Sequence, residues 1–227
     1  MIQSYSEFLP ALLEIGFSFA YGGNDQDLFS LLKYDWTNEP PESALKWFSC
    51  DPALDPCCWR MRLLNERDDI SYAKVFFKKS GYITKEWAPY FLAARRPTSF
   101  DEAYADGLIT QYAKTVYDYL RANGPTPADR LKFSKEEKKQ YERAADELQM
   151  GLYITLYGQD IKISRKGDEY GWASNVFCTL EEFWPEEVFA QAAAISQEEA
   201  EEKITQRILS INPDAKPKKI RKFIYGK

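Results

Sequence analysis

Lys135, Lys138, Lys139, Gln140 and Arg143 fall in one short stretch that reads as a helix and would occupy its solvent-facing side. Lysine and arginine neutralise phosphates, while glutamine can pair with adenine and arginine with guanine in the major groove. Glu136, Glu137, Glu142, Asp146 and Glu147 share the stretch, so it also fits an ordinary solvated helix laced with i,i+4 charge pairs. A second group, Lys162, Arg165 and Lys166, lies in a polar segment that reads as a hairpin tip. Its cations would either follow a nucleic-acid backbone or minor groove, or simply keep the tip soluble. A third group, Lys218, Lys219, Arg221 and Lys222, belongs to a tail over residues 216–227 with six cations and no acid. Such a tail attracts phosphate in a salt-dependent, sequence-independent way. It would equally fold back on the acidic segment before it. Ile220, Phe223, Ile224 and Tyr225 favour a packed end over a free arm.

Other chemistry is thinner. Arg60, Arg62, Arg67, Lys74, Lys78 and Lys79 interleave with Trp59, Tyr72, Phe76 and Phe77, a composition that suits base stacking beside cations. Core aromatics with a charged rim is the stronger reading. The acid pairs Asp68-Asp69 and Glu181-Glu182 read as a loop pair and a helix start, not as acid/base machinery. Asn24-Asp25-Gln26-Asp27 reads as a helix start, not a metal loop. The chain has no histidine, which excludes Ser-His-Asp and Cys-His catalysis and any histidine-ligated metal. Cys50, Cys57, Cys58 and Cys178 form no C-x-x-C unit, so we expect buried, reduced thiols of a cytoplasmic protein and no zinc ribbon. No cofactor or metal is called for. No apolar run approaches the roughly 20 residues of a membrane helix, and no basic leader suggests a signal peptide.

These residues need elements to position them. Formal charge is −5 overall but uneven: −5 over residues 1–108, +1 over 109–177, −7 over 178–215 and +6 over 216–227. The capping-box form S/T-x-x-E recurs at Ser4, Ser99, Ser134, Thr179 and Ser196, each time before an apolar pattern, so most of the chain should be helical. Helices are expected near 5–15, 25–33, 42–48, 56–65, 84–95 and 100–106, with extended segments at 71–77 and 81–83. In the middle, a helix over 109–123 is stopped by Asn123-Gly124-Pro125. Thr126 and Pro127 should open a short second helix. Ser134 should cap a third running to Met150. Strands at 152–156 and 172–177 follow, flanking a polar loop. Helices near 180–192 and 197–210 and the basic tail complete the chain. The fold class expected is mainly α with a small β-hairpin wing (α+β). It comprises a helical region over 1–108, a winged-helix module over 109–177, and C-terminal helices with the tail over 178–227.

The chain also carries Glu14-Ile15-Gly16-Phe17-Ser18-Phe19-Ala20, Trp59-Arg60, Ile83-Thr84, Pro89-Tyr90-Phe91 and Leu148-Gln149. With these it resembles the winged-helix proteins related to the AlkZ/YcaQ alkylpurine DNA glycosylases, in particular their shorter AlkZ-related branch. The resemblance implies a winged-helix fold, double-stranded DNA as partner and a link to DNA repair. The glycosylases of that family hold their hydrolytic water with a Q-x-Q or Q-x-D pair, and this chain has neither. Gln26-Asp27 and Gln159-Asp160 are adjacent pairs whose side chains diverge on a strand or a helix. The expectation is therefore DNA binding without an evident catalytic site. The alternatives are a divergent glycosylase and a winged-helix module with a protein partner.

Overall fold

A computed structural model describes residues 1–22, 29–131, 138–164, 166–171 and 173–226. The first helix, α1 (Tyr5–Ile15), buries Tyr5, Phe8 and Leu12 along one stripe. It ends at Gly16, whose φ of 97° lies in the left-handed region that suits glycine. Strand β1 (Phe17–Phe19) follows at once. Helix α2 (Pro56–Glu66) starts on Asp55, whose carboxylate accepts from the Cys57 amide, with proline in the first turn. Strands β2 (Ile70–Phe76) and β3 (Lys79–Thr84) form a hairpin. Phe77 and Lys78 make its turn, with φ of 51° and 62°, as a two-residue type I′ loop demands. The first sheet has the order β1-β3-β2, all antiparallel, with Phe17 opposite Ile83 and Tyr72 opposite Tyr82.

Helices α3 (Ala88–Arg95), α4 (Phe100–Ala105) and α5 (Gln111–Asn123) come next. Ser99 and Glu102 close a full capping box on α4, and Thr110 caps α5. Strand β4 (Thr126–Pro127), helix α6 (Lys138–Met150) and the hairpin β5 (Ile154–Asp160) with β6 (Ser174–Thr179) follow. The second sheet has the order β4-β6-β5 and is again antiparallel. The chain ends with α7 (Leu180–Phe183), α8 (Glu186–Ala193), α9 (Gln197–Ile211) and α10 (Pro217–Tyr225).

The first sheet is the central layer. Ile70, Tyr72 and Tyr82 enter one core, shared with Trp59 and with Val116, Leu120, Leu148 and Ile154. Ala73, Val75 and Ile83 enter a second, shared with Phe91, Ile204, Ile208 and Phe223. Successive strand residues point to opposite faces, and here both faces are covered. One face thus holds the middle segment and the other holds the C-terminal helices. The fold is mixed α/β, with two small three-stranded sheets among the described residues.

Several sequence expectations need correction. Thr126 and Pro127 do not open a helix: they pair with Phe177 and Val176 as an edge strand, where a proline without an N–H is tolerated. Residues 128–131 form only a turn. The expected helix over 25–33 is not helical at residues 29–33, where Ser30 bridges Phe19; residues 25–28 lie outside the described residues. Residues 42–48 are irregular backbone between two turns, tied down by bonds such as Lys46 N–H to Leu54 O at 2.9 Å. The helix expected from 84 starts at Ala88, because Thr84 still belongs to β3. The helix near 180–192 is broken into α7 and α8 at Trp184-Pro185, as proline requires. Ser4 places no side-chain cap on α1; Glu7 instead accepts from the Gln3 amide at 2.8 Å. The Ser134 cap lies outside the described residues. Of the four thiols only Cys178 is buried, and Cys50 is exposed.

Candidate nucleic-acid interface

Helix α6 is strongly two-sided. Tyr141, Ala144, Ala145, Leu148 and Gln149 are buried against α5 and β2, while Lys138, Lys139, Gln140 and Arg143 are exposed. Gln149 locks the helix to the first sheet: its Oε1 accepts from the Lys74 amide at 3.0 Å, and its Nε2 donates to Ala145 O. The acids of α6 are largely turned to scaffold duty. Glu147 accepts from the Thr110 amide at 2.8 Å and from its hydroxyl at 2.9 Å, which fixes the start of α5. Asp146 takes Lys74 at 2.9 Å and Lys78 at 3.7 Å, both from the β2–β3 hairpin. Glu142 is exposed at the edge of the outer face, on the side turned to the first sheet, 3.9 Å from Lys138. Lys135, Glu136 and Glu137 lie outside the described residues.

The β5–β6 hairpin carries the second group. Lys162 is exposed and lies 3.7 Å from Asp129, in the turn that precedes α6. Lys166 is exposed at the tip, where Ser164 Oγ accepts from the amides of Lys166 and Asp168. Arg165 lies outside the described residues. Tyr157, Ile161, Ile163 and Tyr170 are also exposed on this hairpin.

The tail is the helix α10, started by Pro217 and ended by Gly226 at a φ of 75°. Ile220, Phe223 and Ile224 are buried, and Phe223 stacks on Phe76 with ring centroids 3.9 Å apart. Lys218, Arg221 and Lys222 face outward, and Lys219 is half-buried. Arg95 links α10 to α6: it donates to Phe223 O and Ile224 O of one and to Met150 O of the other. That link sits at the far end of α6 from Lys138 and Lys139. The structure thus pairs Lys162 with Asp129, whose charge also reaches Tyr141 in the first turn of α6, and it does not bring the α10 cations to that place.

Between the first sheet and α6 lies a cleft of about 290 Å³, lined among others by Arg60, Tyr72, Lys74, Tyr141, Glu142 and Asn175. Arg60 and Tyr72 belong to the aromatic-basic stretch of the sequence, and no local pattern joins them to Glu142 or Asn175. Tyr72 lies against the Arg60 guanidinium, with Tyr21 and Tyr82 nearby. Burial, then the neighbouring Tyr72, raises the Tyr21 phenol well above its ordinary value, so it stays protonated and neutral. The other cations of that stretch are rim charges, as Arg62 with Glu66 and Arg67 with Asp69 show. Burial, reinforced by the Asp55 charge, pushes the Cys57 thiol up to about 11 and Cys58 to about 12. Neither is a poised nucleophile. Among the described residues no group of His, Cys, Asp and Glu could hold a metal, and no helix is long and apolar enough to cross a membrane.

The molecule is therefore a mixed α/β protein that turns the cations of one helix and one hairpin outward beside an interlayer cleft. Comparison with protein families matches the AlkZ-related family over residues 2–225, nearly the whole chain. The chain belongs to that family, which points to DNA-repair glycosylase relatives. Searches of curated proteins and of solved structures found no match.

Proposed function

We propose that the protein binds duplex DNA, with residues 109–177 acting as a winged-helix unit. The order helix, short strand, helix and hairpin supports that reading, as does the family. In this reading α6 faces the duplex, and Lys135, three positions before Lys138 in the sequence, is counted with its cations. Lys138 and Lys139 contact phosphates, and Gln140 and Arg143 reach towards base edges. Lys162, Arg165 and Lys166 contact the backbone or minor groove from the hairpin. Lys218, Lys219, Arg221 and Lys222 add a separate, non-specific phosphate contact.

The observation that carries the proposal is the fate of the acids on α6. Asp146 and Glu147 are held by β2, the β2–β3 turn and Thr110, so the outer face is more basic than its sequence. The test is a fluorescence anisotropy titration of labelled duplex DNA across a salt series. The Lys138→Ala, Lys139→Ala double variant should weaken binding uniformly across sequences and flatten the log–log salt slope by about two. Absence of any duplex binding at low salt would sink the proposal and leave the exposed hairpin apolar residues as a protein-docking surface.

The cleft favours one second reading, a divergent glycosylase that takes an extruded base between β2 and α6. At about 290 Å³ it lies at the small end of ligand sites. Glu142 and Asn175 supply a carboxylate and an amide where the relatives' glutamine pair is missing. Abasic-site formation on alkylated duplex, abolished in Glu142→Gln, would establish it; intact DNA after prolonged incubation would exclude it.

A further inference from the structure

The turns between β1 and α2 hold four aromatic rings in mutual contact. Trp36 meets Tyr21 at 6.0 Å, Trp47 at 5.8 Å and Phe48 at 5.3 Å, all edge to face. Trp36 sits at the tip of a fixed turn: Asp35 Oδ1 accepts from the Thr37 amide at 2.8 Å, and Asn38 Oδ1 accepts from the Asp35 amide at 2.8 Å. Trp47 and Phe48 are the central residues of a second turn, closed by Ser49 N–H to Lys46 O. The rings are not hidden. Trp36 is 49% exposed and Phe48 is 64% exposed.

The backbone makes that exposure notable. Phe48 and Cys50 both have φ of 60°, in the left-handed region that favours glycine. Phe48 holds this strained position with most of its ring in solvent, and such strain concentrates at functional surfaces. Beside the rings is a cleft of about 440 Å³, lined among others by Tyr21, Asp35, Thr37, Lys79 and Ser80. Ser80 also lines the Arg60 cleft, so the two adjoin. Exposed aromatic rings, polar turns and a lysine on the adjoining cleft are the chemistry that holds unpaired bases. Two exposed rings offer far less than the roughly 800 Å² per partner that a stable protein interface buries, whereas a single base needs only one ring.

We infer that Trp36 and Phe48 form a stacking platform for an unpaired nucleobase of single-stranded DNA, whose backbone runs past Lys79 toward the Arg60 cleft. This rests on the reading that DNA is the ligand, but it uses a different surface from the α6 contact. The test is intrinsic tryptophan fluorescence of the full-length protein titrated with oligo-dT, beside anisotropy with labelled duplex. Phe48→Gly removes a ring and relieves the strained φ, so its melting temperature should hold or rise. Trp36→Leu keeps apolar bulk without the aromatic face. Each variant should weaken oligo-dT binding about tenfold, within the range for loss of one stacked base, and leave duplex affinity unchanged. Duplex binding with oligo-dT affinity equal in wild type and both variants overturns the platform and leaves the α6 reading standing. Oligo-dT binding that depends on both rings, without duplex binding, upholds the platform and removes the α6 reading. No binding of either DNA overturns both.

Discussion

Replacing Arg95 by methionine tests whether one guanidinium holds the three parts of the chain together. Arg95 donates to Val75 O at 2.8 Å, Met150 O at 3.0 Å, Phe223 O at 2.8 Å and Ile224 O at 2.5 Å. Those carbonyls belong to β2, the end of α6 and the end of α10. Among the described residues no carboxylate pairs with it, and the C-terminal ends of α6 and α10 turn the negative ends of their dipoles toward it. Each hydrogen bond to a charged group contributes roughly 1.5–3 kcal/mol, so four are worth several times that in gross terms. Desolvating the cation offsets much of it, to the extent of several kcal/mol. A net loss of about 3 kcal/mol remains for Arg95→Met, a large share of a typical 5–15 kcal/mol stability. Arg95→Lys should recover less than half, since one compact ammonium cannot span carbonyls from three elements. Urea unfolding measures this as a lowered midpoint at constant slope, and amide exchange should rise over residues 217–226. A loss under about 1 kcal/mol with α10 exchange unchanged would show that the apolar face of α10 suffices, and that the guanidinium is incidental.

Two further outcomes follow from local geometry. Gly16→Ala should lower the melting temperature by roughly 5–10 °C, through overpacking and backbone strain of about 2–4 kcal/mol. A Cβ at Gly16 would sit 1.9 Å from the Trp87 ring, at a φ of 97°; an unchanged melting scan would refute this. Stability should also fall in alkali. Burial, then Asp55, raises the Cys57 and Cys58 thiols from 9.0 to about 11 and 12, and burial with the Glu201 bond raises the Tyr225 phenol from 10.0 to about 12. Groups raised on folding give their full contribution below the unfolded value and lose it as pH climbs through the folded one. The urea midpoint should hold to about pH 8.5, then decline between about pH 9 and 12. Cys57→Ser with Cys58→Ser should soften the early part of that decline, and a midpoint that rises over the same range would contradict the assignment.

Elements with their own caps and stripes were legible in the sequence. Tyr5, Phe8 and Leu12 announce α1; Ala113, Val116 and Leu120 announce α5; Tyr141, Ala144 and Leu148 announce α6. Elements that exist only through a distant partner were not. Thr126-Pro127 has the local form of a helix start and becomes β4 because β6 supplies its hydrogen bonds. Phe17–Phe19 is three residues long and buried throughout, so it shows no alternation to read; β3 makes it a strand. Leu31 and Leu32 mimic a helical stripe, yet Leu31 N–H bonds Ser18 Oγ at 3.0 Å beside β1. The same limit applies to the cleft. Arg60, Glu142 and Asn175 come from α2, α6 and β6, and no local pattern joins them.

The cations were legible residue by residue, but their net effect was not, because charge on a helix depends on what the rest of the fold does with its neighbours. In sequence α6 looks balanced, with acids interleaved among the lysines. In the fold, two of those acids bind donors supplied by the first sheet and by the start of α5. Counter-charge is thereby drawn to the inner flank of the helix, and Lys138, Lys139 and Arg143 dominate the outer one. A chain of net charge −5 can in this way present a local surface suited to a polyanion. Freeing Asp146, by Lys74→Met with Lys78→Met, would return an unpaired carboxylate to the flank of α6. It should therefore weaken duplex binding even though neither lysine lies on the outer face of the helix.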